Sequence, residues 1–302
     1  MDYINADWRI CAANVERMME MGLDAYVTCN CFEEGKLSNP PEPFTIDDVY
    51  RDDEGFLCSH MLDSLRKGLD FSDYINRYGA LDDRFHDWVD HACEHEDGEY
   101  CSEWVGNWVG AREFQSVVEE LGGNDRYPVL SGLIPDSNGG CFPAELARKA
   151  IEEIDDLVES ARSLVFNSLV CEDSESPIWF CADSASHPIL MGPGFEMGME
   201  GNAAYFVDGK GRTLKSRRFR QDPIGPEGEN GFQEMVITLH ETGECIRSFD
   251  SIGPYDAPKV AREFWVESRE APFMHEGRYY RAERIRSLLV ASVETGNPIR
   301  WC

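Results

Sequence analysis

The feature that most constrains the fold is a change of character near Cys171–Pro177. Before it, apolar residues recur at helical spacing over long stretches; after it, they alternate in short runs between turn residues. Ala144–Phe166, with Leu146, Ala150, Ile151, Ile154, Leu157 and Val158 on one side, predicts an amphipathic helix. Ser102–Leu121 predicts another, with Trp104, Val105, Trp108, Ala111, Phe114, Val117 and Val118 inward and Gly122-Gly123 stopping it. Downstream, Ile178–Ala182, Ala203–Asp208, Thr213–Arg220, Met235–His240 and Glu244–Phe249 read as strands. Asp208–Gly211 and Glu241–Gly243 are hairpin turns between some of them. Gly192–Gly201 reads as a mobile glycine-rich loop, and Ala257–Glu270 and Arg278–Val293 as two closing helices.

Near the start, Leu23–Phe32 is β-rich and opens a new pattern after Met21-Gly22. Residues 1–20 therefore read as a helical extension. The predicted architecture is α+β: the extension at 1–20, an acidic helix-rich domain with a small sheet at 21–170, and an antiparallel-sheet domain with two C-terminal helices at 177–302. At 42% hydrophobic and 11% aromatic, the chain has ample material for a core, so its acidity is not that of a disordered tail.

That acidity is large, a formal −29 at pH 7. Residues 1–150 hold 31 acidic against 12 basic side chains, and residues 151–302 hold 26 against 16. The densest stretch, Asp82–Glu99, carries Asp82, Asp83, Asp87, Asp90, Glu94, Glu96, Asp97 and Glu99 against Arg84. Such a surface repels nucleic acid and anionic lipid and attracts basic proteins. These eight carboxylates are the candidate partner-binding residues. The counter-patch is a basic stripe of Lys210, Arg212, Lys215, Arg217, Arg218 and Arg220, which suits an anion or an intramolecular acidic partner.

The same acidic stretch interleaves His91, Cys93 and His95, and Cys29-x-Cys31 and Cys58-x-His60 lie upstream. Zinc takes four thiolate or imidazole ligands in a tetrahedron. Read as a helix, residues 85–95 place His91 and His95 on one face at i, i+4, while Cys93 falls on another. Cys29, Cys31, His91 and His95 are accordingly the candidate metal ligands, against the plainer reading of small core thiols on a solvated helix. The default is no cofactor, with zinc as the one metal the residues suit.

Catalytic signatures are missing. Ser64-x-x-Lys67 has no accompanying Lys-Thr-Gly, and nucleophile-elbow, zinc-protease, zinc-deaminase and phosphate-loop patterns do not occur. Met1–Glu20 lacks a basic n-region and an apolar h-region, and no run reaches membrane-spanning length. With eleven scattered cysteines, a reducing cytoplasm is the expected compartment.

Gly22-Leu23-Asp24-Ala25-Tyr26-Val27-x-Cys29-x-Cys31, together with Cys93-Glu94-His95-Glu96, resembles a group of uncharacterised bacterial proteins. The resemblance implies a bacterial source and no particular activity. Two functional readings follow from the residues. The first is an acidic binding protein, such as an immunity protein or inhibitor neutralising a basic, nucleic-acid-acting toxin. The alternative is a metal-dependent enzyme or zinc-stabilised domain built on the Cys/His cluster.

Overall fold

The computed structural model describes residues 22–302 except 53–54, 136–138, 175–176, 182–185, 193, 229–230 and 254–257. The expected extension at 1–20 lies outside the described residues. Up to the middle of the chain the elements are β1 (Gly22–Thr28), β2 (Val49–Arg51), β3 (Leu57–Ser59), α1 (His60–Arg66), α2 (Phe71–Val89), β4 (Glu99–Asn107) and α3 (Trp108–Glu120). A single turn α4 (Gly123–Arg126), β5 (Cys141–Phe142) and α5 (Ala144–Ala161) come next. Then follow β6 (Val165–Cys171), β7 (Trp179–Cys181), β8 (Ser186–Gly192), β9 (Phe195–Glu200), β10 (Ala203–Val207), β11 (Thr213–Ser216) and β12 (Arg218–Pro223). The chain closes with β13 (Met235–Leu239), β14 (Cys245–Ser248), β15 (Arg262–Glu270), α6 (Tyr280–Thr295) and β16 (Ile299–Trp301).

The fold is α+β with antiparallel sheets, and it divides into two compact units. One, here the terminal unit, comprises residues 22–111, 127–155 and 281–302; the other, the sandwich unit, comprises 112–126 and 156–280. Both units are discontinuous in sequence, so the division does not follow the connector at 171–177 that composition suggests. The physical reason is strand pairing. β6 joins β15 in one sheet, and the last strand, β16, returns to pair with β1.

In the terminal unit the sheet order is β4-β1-β16-β5. β1 is central, paired on both sides, and it buries Leu23, Ala25, Tyr26 and Val27 while Asp24 stays exposed. Trp301 docks on this sheet opposite Ala25 and is buried. A second small core gathers Phe44 and Val49 with Leu62 of α1 and Phe85 of α2, flanked by Leu81, Trp88 and Val89. Asp70 caps α2, its carboxylate accepting from the Asp73 amide at 2.8 Å.

Two expectations for this half change. The helix expected over Ser102–Leu121 begins only at Trp108, because Glu99–Trp104 alternates half-buried with exposed residues and β4 satisfies its backbone against β1. The first region is therefore built around a sheet and is not helix-rich in its early part.

The sandwich unit has a six-stranded sheet, β14-β13-β12-β15-β6-β7, and a four-stranded sheet, β11-β10-β9-β8. Their apolar faces share one core. Phe219 of β12 stacks on Phe264 of β15 at 4.9 Å and meets Phe206 of β10 edge-on at 5.0 Å. The expected loop at Gly192–Gly201 is largely strand, since Phe195, Met197 and Met199 alternate into that core. Of the expected helix at Ala257–Glu270, Arg262–Glu270 is the strand β15, where Phe264 and Val266 face inward. Of the two closing helices, α6 alone is observed among the described residues. Gly192 is required where it stands, because a β-carbon there would collide with the Phe249 ring.

Candidate metal centre

The site forms where β1 ends. A bulge between Val27 and Thr28 breaks the pairing with β4 and turns the strand into Cys29-Asn30-Cys31. The Cys29 amide donates to the Gly98 carbonyl at 2.8 Å, which brings in the segment leading to β4. That segment is a compact turn: the Gly98 amide reaches the His95 carbonyl, and the Asp97 amide the Asp90 carbonyl. Asp97 and Gly98 both take positive φ, and Asp-Gly is the pair that tolerates this best.

Cys29, Cys31, Cys93 and His95 thereby converge, with one ligand atom from each lying within 4.8 Å of every other. Cys29 Sγ is 3.8 Å from Cys93 Sγ, Cys31 Sγ is 3.4 Å from His95 Nδ1, and Cys93 Sγ is 3.8 Å from the same nitrogen. A tetrahedral zinc ion with bonds of about 2.3 Å to sulfur and about 2.05 Å to nitrogen has edges of about 3.8 Å (S–S) and about 3.6 Å (S–N). Three of the six edges fall within a few tenths of an ångström of those values and the others are no longer than 4.8 Å, so the donor set suits zinc.

Burial pushes the Cys29 thiol up, and burial together with the neighbouring thiols carries Cys31 to about 12. The thiols must give up protons to a cation, so affinity rises with pH. An outer layer holds the loop. Asn30, between the two cysteines, donates to the Thr295 carbonyl at 2.7 Å, and Asn297 donates to the Thr28 carbonyl and to Asn30 Oδ1. Arg51 donates to the Cys29 carbonyl at 3.1 Å while paired with Glu33.

Three of the four expected ligands, Cys29, Cys31 and His95, are brought together; His91 is not. α2 ends at Val89, so the helical face that would align His91 with His95 does not exist. His91 is exposed, with Nδ1 3.1 Å from the Asp87 carbonyl. Cys93 takes the fourth corner because residues 90–95 form turns, where i, i+2 side chains can converge as they cannot on a helix. The signal available in the sequence was the pair of x-spaced couples, Cys29-x-Cys31 and Cys93-x-His95. Cys58 contacts Asp52, His60 stacks on Tyr50, and Cys101 sits on β4, none of them in the cluster.

The eight expected partner-binding carboxylates bend with the chain at Asp90 into two arms, one on α2 and one on the ligand loop. Asp83, Asp87, Glu94, Glu96 and Asp97 are exposed and form no ion pair with a described residue. Asp82 is half-buried, accepting from the Tyr74 hydroxyl at 2.5 Å and lying 4.0 Å from Arg66. Asp90 and Glu99 are also half-buried, and burial raises the Glu99 carboxyl, with Asp97, Asp24 and Glu96 adding to the effect.

The basic stripe belongs to the sandwich unit and is largely neutralised there. Arg212 pairs with Asp208, Lys215 with Glu200, Arg218 with Glu263, and Arg220 with Asp222. No helix of the described residues is long and apolar enough to cross a membrane. No family model, curated protein or solved structure matches this chain.

Proposed function

We propose that the terminal unit is stabilised by a structural zinc ion and that the protein acts by binding a basic protein through its acidic face. The observation that supports the first part is the convergence of Cys29, Cys31, Cys93 and His95, with one ligand atom from each within 4.8 Å of every other. Four protein donors complete a tetrahedral shell and leave no position for water or substrate, which is the arrangement of a structural site. The ion would clamp the end of β1 to the turn that carries Glu94, Glu96 and Asp97. Zinc in this reading shapes a binding surface and does no chemistry.

The exposed, unpaired carboxylates support the second part. Neutralisation of a basic toxin that acts on nucleic acid is the specific role proposed, since such a toxin needs a cationic surface for its own substrate. Elemental analysis of protein purified without added metal tests the metal site; about one zinc per chain is expected, and the Cys31→Ser, Cys93→Ser variant should carry none. Folded protein that neither contains nor takes up zinc overturns it. Association with the partner should slow markedly between low salt and roughly 0.5 M, where screening shrinks to a few ångströms. A salt-indifferent association rate argues against the acidic face.

A further inference from the structure

Helix α2 does more than bury its inner side. Tyr74 and Phe85 are buried, and Leu81, Trp88 and Val89 are partly so. That inward set anchors the helix, yet Phe71 is 77% exposed and Ile75 41% exposed. Neither contributes to the small core around Phe85.

The outward residues follow a simple order. Phe71, Ile75, Gly79, Asp83 and Asp87 stand four residues apart, so they form one i±4 ridge about 24 Å long at 1.5 Å per residue. The ridge has an apolar end, a glycine at its centre and an acidic end. Asp83 and Asp87 form no ion pair with a described residue. The arginines of the helix, Arg77 and Arg84, lie off the ridge, and Arg84 reaches the Glu42 carbonyl at 3.0 Å.

Gly79 is the informative position. Glycine inside a helix is destabilising relative to alanine. Nothing inside the protein demands it: its φ is not positive, and an added β-carbon would meet only Ile75 Cγ2, at an ordinary 3.4 Å. Gly79 is half-buried between the exposed members of the ridge, and a residue this small midway along it lets a second helix approach closely at the crossing point.

From this ridge we infer that the basic partner docks a helix across α2 at Gly79, placing apolar side chains on Phe71 and Ile75 and Lys or Arg on Asp83 and Asp87. The inference rests on the binding reading above and names the surface and the kind of partner: an amphipathic helix, apolar at one end and cationic at the other. The apolar end supplies contact area and the acidic end fixes direction, because a reversed helix would set its cations on Phe71.

The test uses the full-length, zinc-loaded protein and a labelled synthetic helix with leucines in its first two turns and lysines in its last two. A peptide with glutamate in place of lysine serves as control. Binding of the lysine peptide at low salt is expected, with the glutamate peptide inactive. Gly79→Leu, which blocks the crossing, and Asp83→Lys with Asp87→Lys should each weaken binding about tenfold or more. Zinc content should stay unchanged and Gly79→Leu should not lower the unfolding temperature. No binding of the lysine peptide, or equal binding by the Gly79→Leu variant, overturns the inference. Loss of a Phe71-dependent dimer on Phe71→Ser would assign the ridge to a second copy and overturn it as well. A native basic partner whose salt-dependent affinity ignores every α2 substitution would overturn this surface while leaving the binding reading intact.

Discussion

The two units solve the same stability problem with different materials. The sandwich unit closes two sheets on a continuous apolar core in which Phe206, Phe219 and Phe264 touch ring to ring. Two of its buried polar side chains are satisfied internally: Gln221 exchanges two hydrogen bonds with the Ile252 backbone, and buried Arg262 donates to Asp173 at 2.6 Å. The terminal unit has shorter strands and a smaller second core, and its loops gather at a Cys/His cluster in which burial raises the Cys29 and Cys31 thiols. Both units bury apolar residues, but only in the terminal unit do the described residues also gather a Cys/His cluster that a cation would turn into a cross-link.

The largest effect expected is therefore on zinc removal. Peptide zinc sites contribute roughly 10–16 kcal/mol to folding, an upper bound here because the sheet β4-β1-β16-β5 remains. Chelation, or Cys31→Ser, should strip hydrogen-exchange protection from residues 22–31 and 90–107 while β12, β13 and β15 keep theirs. Equal loss in both units would abolish the distinction drawn between them.

The reciprocal experiment is Phe219→Ala. This ring lies between Phe206 and Phe264, so its loss should destabilise by about 3–5 kcal/mol, seen as a lower denaturant midpoint. Zinc stoichiometry should not change, because Phe219 is in the other unit.

Acid should sharpen the contrast by a smaller amount. The Arg262 guanidinium holds Asp173 below the usual carboxylate range, and Trp265 and Arg269 do the same for Glu267. Each has a folded pKa below its unfolded one, so its contribution is present above the unfolded value near 4 and is lost as pH falls through the folded value. Asp173→Asn with Glu267→Gln should flatten the sandwich unit's stability between about pH 5 and pH 3. An unchanged pH profile would mean these pairs do not support the sandwich.

The smallest effect concerns Glu99, whose carboxyl is shifted the other way by burial. Its charge is a burden above its folded pKa and relief comes as pH falls. Glu99→Gln should therefore stabilise at pH 7 by less than about 1 kcal/mol, measured by thermal unfolding at fixed zinc. Destabilisation would show that the ionised form is wanted at the start of β4.

Local pattern was enough for several elements. β1 is visible in Leu23–Phe32, α5 in the apolar face of Ala144–Phe166, and the hairpins β10–β11 and β13–β14 in their alternation and turn residues. It failed where apolar residues fit both periods. Trp104 and Val105 suit a helix as well as a strand, and the segment became β4 because β1 offers it backbone partners. Phe264 and Val266 became part of β15 for the same reason, between β12 and β6. Asp90–His95 looked helical from its neighbours in α2, and that assumption excluded Cys93 as a ligand.

Sequence alone determined the charge, the supply of thiols and imidazoles, and the two x-spaced couples that hold the potential ligands. Those are properties of residue type and short spacing, set within a few bonds of each other. Only the tertiary structure decided that the couples meet. Sixty-four residues separate Cys29 from Cys93, and what brings them together is the pairing of Thr28 with Glu99 and the Cys29–Gly98 hydrogen bond. It also decided the units, because strands pair with whichever partner satisfies their backbone and covers their apolar face, however distant in sequence.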